Sequence, residues 1–236
     1  MQPGCIYHLT HRCHNRQFLL KFVRDRDAYQ RLLREEAKMQ KVSVLNYCIT
    51  SNHVHLLVVA NSCEQVSRFM QKLQGVSAKR YNTRKARSGA FWSDRYHATM
   101  VETGEYFWRC MKYIDLNMVR AGAVTHPIDW QWTGYRELVA EKKRCRIIDL
   151  DAVLAHTGHV NVNEFVAHYR HDIRQALNSC AAQAREPAWT ESIAVGSRGF
   201  VEGMETKIYW RIEMTKQVSE SLEDQWVLRE PAALYG

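Results

Sequence analysis

Apolar and polar positions first alternate over Ile6-Tyr-His-Leu-Thr-His, the period of a strand. A polar, basic loop covers residues 12–16. Over residues 25–39 the apolar positions Ala28, Leu32, Leu33 and Ala37 recur at helical spacing and predict a helix. Residues 42–49 are rich in β-branched and aromatic side chains. Thr50-Ser-Asn forms a turn, and His53-Val-His-Leu-Leu-Val-Val-Ala returns, so the two runs predict a β-hairpin. Ser62, with Gln65 three residues on, is an N-cap signal for a helix carrying Val66, Phe69, Met70 and Leu73. Residues 91–101, flanked by Gly89 and Gly104, predict another strand. Thr103 then caps a helix over 105–120 that Gly122 closes.

The resulting order, β-α-β-β-α-β-α, predicts an α+β fold. Its core is a ferredoxin-like split β-α-β antiparallel sheet with helices on one side. Past residue 125 the pattern turns helical, with segments near 149–156, 162–178, 187–194 and 198–218. Gly196-Ser-Arg-Gly between the last two also admits a helix-turn-helix reading, against which the acidity of the region counts. The aromatic run Trp130-Gln-Trp-Thr-Gly-Tyr is expected to pack back on the core. The chain thus divides into a first domain (1–125), a connecting aromatic and basic segment (126–148) and an acidic helical C-terminal extension (149–236).

Charge sharpens that division. The 236 residues carry a formal net charge of +8. Residues 151–236 hold 8 Lys and Arg against 12 Asp and Glu, whereas residues 1–150 hold 25 against 13, a block of +12. Such a block points to a polyanionic partner. Opposite charge would let the extension cover the basic face or position elements of the first domain. With 46% apolar residues, 11 Gly and 4 Pro, the chain is neither disordered nor a collagen-like repeat. The longest uncharged run, residues 42–63, contains too many Asn, His, Ser and Thr to enter lipid. The N-terminus lacks a secretory pattern. Seven cysteines (5, 13, 48, 63, 110, 145 and 180) without a Cys-x-x-Cys pair argue against a disulfide framework or a Cys-based zinc site. A cytoplasmic protein with reduced thiols and no membrane partner is expected.

Candidate chemistry concentrates at two places. On a strand, His53 and His55 project from one face with Cα atoms about 6.5–7 Å apart. Two imidazoles so placed can converge on one metal, each nitrogen about 2.1 Å away. On the helix 105–120, Tyr113 and Asn117 stand one turn apart on one face. An amide oxygen is a hard donor, so Asn117 makes a candidate His, His, Asn set with open coordination positions. A phenol of pKa about 10 is a poor nucleophile at neutral pH. Beside a metal that polarises a phosphate, Tyr113 becomes a credible one.

These motifs carry a resemblance. His-Val-His-Leu-Leu after Thr-Ser-Asn, followed by Lys112-Tyr-Ile-Asp-Leu-Asn-Met-Val-Arg-Ala-Gly, resembles the HUH endonuclease superfamily. Within it, the likeness is to single-tyrosine transposases and to REP-associated tyrosine transposases. Tyr7-His-Leu-Thr, Phe91-Trp-Ser-Asp-Arg-Tyr and Trp132-Thr-Gly-Tyr match the second group. The resemblance covers about residues 1–140, and Met118 replaces the proline common in relatives. It implies His53 and His55 as the paired histidines, Tyr113 as nucleophile and Asn117 as third ligand. The implied activity is cleavage and strand transfer on single-stranded DNA, aided by Mg2+ or Mn2+ and passing through a 5′-phosphotyrosine. The implied substrate is a hairpin of a repetitive extragenic palindrome. Relatives act as dimers or alone, so monomer and dimer both remain open.

Arg12, Arg16, Lys79, Arg80, Arg84, Lys85 and Arg87 are expected to follow the phosphates of such a strand. Two other functions compete: a hairpin-binding protein without turnover, and a metal-independent RNA hairpin endonuclease.

Overall fold

The computed structural model of the chain describes residues 4–139, 146–179, 185–207, 215–218 and 225–229. Cys145, Cys180, part of the connecting segment (140–145) and part of the expected helix 198–218 (208–214) lie outside the described residues.

The chain order is β1 (Ile6–Arg12), α1 (Val23–Gln40), β2 (Ser43–Ile49), β3 (His53–Val59), α2 (Cys63–Arg84), β4 (His97–Val101) and α3 (Glu105–Asp115). This is the expected β-α-β-β-α-β-α. β1 lies antiparallel between β3 and β4, and β2 pairs antiparallel with β3, giving the split β-α-β order β2-β3-β1-β4. Ser62 caps α2 with its hydroxyl on the Gln65 amide, and the Gln65 side chain reaches back to Ser62, completing a capping box.

α1 and α2 lie together on one face, with Gln30 of α1 donating to the Tyr47 hydroxyl at 2.8 Å. α3 covers the opposite face, where Asn46 of β2 donates to the Met111 carbonyl at 3.2 Å. The apolar stripe Phe107, Cys110, Met111 and Ile114 faces inward because these positions repeat at three and four residues.

Three details differ from the sequence pattern. The fourth strand spans only His97–Val101, because the residues before it turn away and Trp92 bridges to Cys13 instead. α3 begins after Gly104, not on a Thr103 cap; Gly104 has φ 72°, which a side chain would oppose. The helix also breaks at Leu116 and resumes as α4 (Asn117–Arg120).

After α5 (Tyr135–Leu138), α6 (Leu150–Thr157) and α7 (Val162–Asn178) match the expected helices. Beyond them the extension also contributes strands. α8 (Ala188–Glu191) leads into β5 (Ala194–Gly196), which lies parallel to β4. α9 (Arg198–Lys207) covers only the first part of the expected 198–218 helix. β6 (Thr215–Val218) and β7 (Trp226–Arg229) complete one sheet ordered β2-β3-β1-β4-β5-β7-β6. β5 takes the end of the first helix and the turn of the helix-turn-helix reading as a strand, while α9 stands at the start of its second helix. Among the described residues no helix is long and apolar enough to cross a membrane. Cys5, Cys13, Cys48 and Cys110 form no disulfide among the described residues.

Candidate active site

Pleating of β3 puts His53 and His55 on the α3 side of the sheet and sends Val54 into the opposite, fully buried face. Across the β1–β3 ladder, Thr10 stands opposite His55 and Arg12 opposite His53. The two imidazole centroids are 4.9 Å apart. From α3, the buried Tyr113 ring meets His55 edge-on at 6.1 Å between centroids. Asn117 sets its Nδ2 3.0 Å from His55 Nε2. Arg12, His53, His55, Tyr113, Asn117 and Arg120 thus line one cavity of about 260 Å3, which Arg185 and Thr190 of the extension also reach.

The hydrogen bonds determine which nitrogens carry protons. Asn52 donates through Nδ2 to the Arg16 carbonyl at 3.2 Å, so its Oδ1, 2.7 Å from His53 Nδ1, must accept. A neutral His53 therefore carries its proton on Nδ1 and presents a bare Nε2. His55 Nδ1 lies 2.9 Å from Nε2 of His8, a histidine of β1, and His8 Nδ1 lies 2.8 Å from the Trp189 carbonyl. Burial lowers His8 to about 3 and His53 to about 4, and drops His55 well below the ordinary histidine range. The positive charges of Arg12 and Arg120 push His53 and His55 further in that direction. All three rings are therefore neutral at pH 7.

Burial raises the Tyr113 pKa, and the guanidinium of Arg120 opposes that rise. Arg120 stands 4.1 Å above the Tyr113 ring and donates to the Tyr113 carbonyl at 2.5 Å.

The end of α3 is anchored by Asp115, two residues past Tyr113. Its Oδ1 accepts from the Thr133 hydroxyl at 2.7 Å and from the Tyr135 amide at 3.0 Å. Its Oδ2 accepts from Tyr169 of α7 at 2.5 Å. Burial raises this carboxyl to about 6, against the pull of those hydrogen bonds. Gly134 lets the Trp132-Thr-Gly-Tyr segment press onto β2, since a Cβ there would stand 2.1 Å from Asn46 Oδ1 and 3.1 Å from the Tyr47 amide. α7 braces α3 further, because Asp172 accepts from Trp108 at 2.7 Å and from Lys112 at 3.3 Å.

The seven basic residues do not form one cluster. Arg12 lines the cavity and Arg16 is exposed on the neighbouring loop. The other five follow α2 on the far side of the sheet. Lys79 and Arg80 are exposed there. Arg84 is ion-paired with buried Asp25, Lys85 lies 5.0 Å over the Phe22 ring, and Arg87 donates to the carbonyls of Gly89 and Ala90. Tyr106, the other tyrosine of α3, sits under Arg109 at 5.7 Å.

Sequence reasoning missed His8, Asn52, Arg120, Arg185 and Trp189. Strand alternation does place His8 on the same face as Thr10 and Arg12, a signal that was available. Nothing local marks Trp189, which lies 181 residues from His8.

Among the described residues no three His, Cys, Asp or Glu side chains form a metal-holding group. The cavity instead offers two imidazoles and an amide.

The family model described as "Transposase IS200 like" matches residues 1–117. No curated protein matches the chain. Among solved structures, a REP-associated tyrosine transposase bound to a REP hairpin aligns with a TM-score of 0.51 at 14% identity, covering 59% of this chain and 82% of that one. A protein described as a transposase from Deinococcus radiodurans R1 aligns at 21% identity over 43% of this chain and 82% of its own, with a TM-score of 0.37. The first of these shares its fold with the chain. The match to the IS200-like transposase model runs over residues 1–117, which hold β1 to β4, Tyr113 and Asn117.

Proposed function

We propose that the protein is a metal-dependent endonuclease and strand transferase that acts on single-stranded DNA, at hairpins of repetitive palindromic elements. The observation that carries this reading is the convergence of Tyr113 on two imidazoles whose bare Nε2 atoms and Asn117 share one cavity. Support for the substrate comes from the relative that was solved with a REP hairpin.

The donor set fits Mg2+ or Mn2+. His53 and His55 are neutral, each is protonated on the nitrogen away from Asn117, and a half-turn of the Asn117 amide exchanges Nδ2 for Oδ1. A divalent ion held by His53, His55 and Asn117 would supply positive charge to a non-bridging oxygen of the scissile phosphate. Tyr113 Oη attacks phosphorus, the P–O3′ bond breaks, and its electron pair leaves with the 3′ oxygen. The phenol gives up its proton to solvent and the leaving oxygen takes one up. The products are a 5′-phosphotyrosine and a free 3′-hydroxyl. One phosphodiester replaces another, so a returning 3′-hydroxyl reseals or recombines the strand without ATP.

Arg120, over the Tyr113 ring, favours the phenolate, and Arg12 and Arg185 draw the DNA backbone to the cavity. The basic first 150 residues hold the strand; residues 1–125 act as the catalytic domain, and the extension braces α3.

A hairpin oligonucleotide labelled at its 3′ end tests the reading on a denaturing gel. The parent protein with Mg2+ forms a labelled covalent adduct, and Tyr113→Phe forms none while still binding the hairpin. Adducts that persist in Tyr113→Phe move the nucleophile to Tyr106. Binding without cleavage makes the protein a hairpin binder. Cleavage of an RNA hairpin in EDTA makes it an RNA endonuclease.

A further inference from the structure

We infer that His8 is a positioning residue that locks His55 into the tautomer with a bare Nε2, through a relay running from the Trp189 carbonyl to His8 Nδ1 and from His8 Nε2 to His55 Nδ1. The inference rests on the proposed role of His55 as a ligand and extends the site to a residue of β1 and one of the extension.

The logic begins at the far end. A main-chain carbonyl only accepts, so the 2.8 Å contact with Trp189 requires a proton on His8 Nδ1. A neutral imidazole holds one proton, and in the fully buried His8 ring the Trp189 carbonyl claims it for Nδ1. Its Nε2 is therefore an acceptor. The 2.9 Å contact with His55 Nδ1 then requires the proton on His55, which leaves His55 Nε2 bare. The opposite side of His55 agrees, because Asn117 Nδ2 donates to that same Nε2 at 3.0 Å. The Trp189 carbonyl is itself held in register, since the Thr99 hydroxyl of β4 shares its one proton between the Ser192 carbonyl at 2.7 Å and the Trp189 carbonyl at 3.2 Å.

His53 has a shorter version of the same device, running through Asn52 to the Arg16 carbonyl. The two ligand candidates are thus fixed by separate relays, each ending on a backbone carbonyl. A histidine that binds a metal through one nitrogen is commonly oriented by a partner at the other. Here the partner of His55 is a second histidine, and its anchor lies in the extension. The relay therefore makes the α8 segment part of the site.

Two substitutions separate the relay from simple anchoring. Asn at position 8 puts its amide where His8 Nδ1 was, so His8→Asn keeps the bond to Trp189 and loses the acceptor for His55. Gln reaches the place of Nε2, so His8→Gln keeps the acceptor and loses the anchor. Imidazole 15N two-bond correlation spectra of the metal-free protein read the tautomer directly, and calorimetry with Mn2+ reads ligation. The parent and His8→Gln show His55 protonated on Nδ1. His8→Asn shows mixed tautomers and binds Mn2+ roughly 10–100-fold more weakly, the usual loss when a ligand's outer partner is removed.

A parent spectrum with His55 protonated on Nε2 overturns the inference without any variant, as does a His8→Asn protein with the parent tautomer and Mn2+ affinity. Failure of the parent to form DNA adducts would instead count against the proposed function, because the spectra do not depend on turnover.

Discussion

The two faces of the sheet are built on opposite principles. Under α1 and α2 the strands present Leu9, Tyr47, Ile49, Val54, Leu56 and Val58, all buried, against Leu32, Leu33, Phe69 and Leu73. Attraction there is non-directional and scales with apolar area. On the α3 side the same strands present His8, His53, His55, His97 and Thr99. Their partners are hydrogen-bonding atoms of the β2–β3 turn, of the extension and of Asn117. Buried polar groups cost free energy unless every one is satisfied. The polar groups of the α3 face therefore contribute little net stability and fix geometry, while the apolar α1/α2 face supplies stability without directional contacts. One sheet can carry both because strand alternation keeps the two sets apart.

Acid is the strongest way to break this symmetry. The unfolded chain protonates its histidines near pH 6.5, whereas folded His8 protonates only near 3, His11 and His53 near 4, and His55 well below its ordinary value. Their contribution is complete above pH 6.5 and is lost as pH falls. Each group contributes at most about 1.4 kcal/mol per pH unit. Asp115 works the other way: raised to about 6, it is protonated in the folded state before the unfolded one, so it adds stability between pH 6 and 4. Four histidines against one carboxyl leave a net loss of at most about 4 kcal/mol per pH unit below 6. Three of the four, His8, His53 and His55, lie on the α3 face. Urea unfolding of the metal-free protein at pH 7, 6 and 5 checks this, and a flat profile would refute the neutral, buried histidine cluster.

Substitutions on each face separate the principles next. Phe69→Ala removes a fully buried ring beneath α2 and should cost about 3–5 kcal/mol in urea unfolding, with the His55 tautomer unchanged. Arg84→Ala should cost a similar amount, about 3–5 kcal/mol, because it strands the buried carboxylate of Asp25. On the α3 face, Thr99→Val should cost only about 0.5–1.5 kcal/mol by removing the hydroxyl that the Trp189 and Ser192 carbonyls share, yet it should disturb the His55 tautomer. If Phe69→Ala disturbs that tautomer as much as Thr99→Val does, the division between the faces fails.

The sequence made the two faces readable only as far as local periodicity reaches. Period two in the hairpin and period 3.6 in α3 put His53 with His55 and Tyr113 with Asn117, and the structure has all four at one cavity. The capping signal at Ser62 was equally local and marks the start of α2. β5 was missed because Ala194–Gly196 is too short to show alternation, and it sits beside a helix-like run. β6 was read as helix because its strand character comes from pairing with β7, which lies beyond the end of the segment that reads as helix. His8 stood in a motif of the resemblance without a role. Alternation names the face of a side chain but not what crosses the chain to meet it.

The five basic residues of α2 and the loop after it show the same limit at smaller scale, and they supply the mildest test. As a sequence they are one positive run; in the fold Arg84 and Arg87 already hold Asp25 and loop carbonyls. Among the described residues Arg80 has only an exposed 4.0 Å contact with Glu35, which contributes little in water. It is therefore free to exchange that contact for a phosphate, whereas Arg84 must abandon a buried carboxylate to do so. Arg80→Ala should leave stability unchanged and weaken hairpin binding evenly across sequences. The slope of log affinity against log salt should fall by about one. Titrations of a labelled hairpin across a range of salt concentrations measure that slope. An unchanged slope would remove Arg80 from the DNA path and restrict the electrostatic track to Arg12, Arg16 and the cavity side of the sheet.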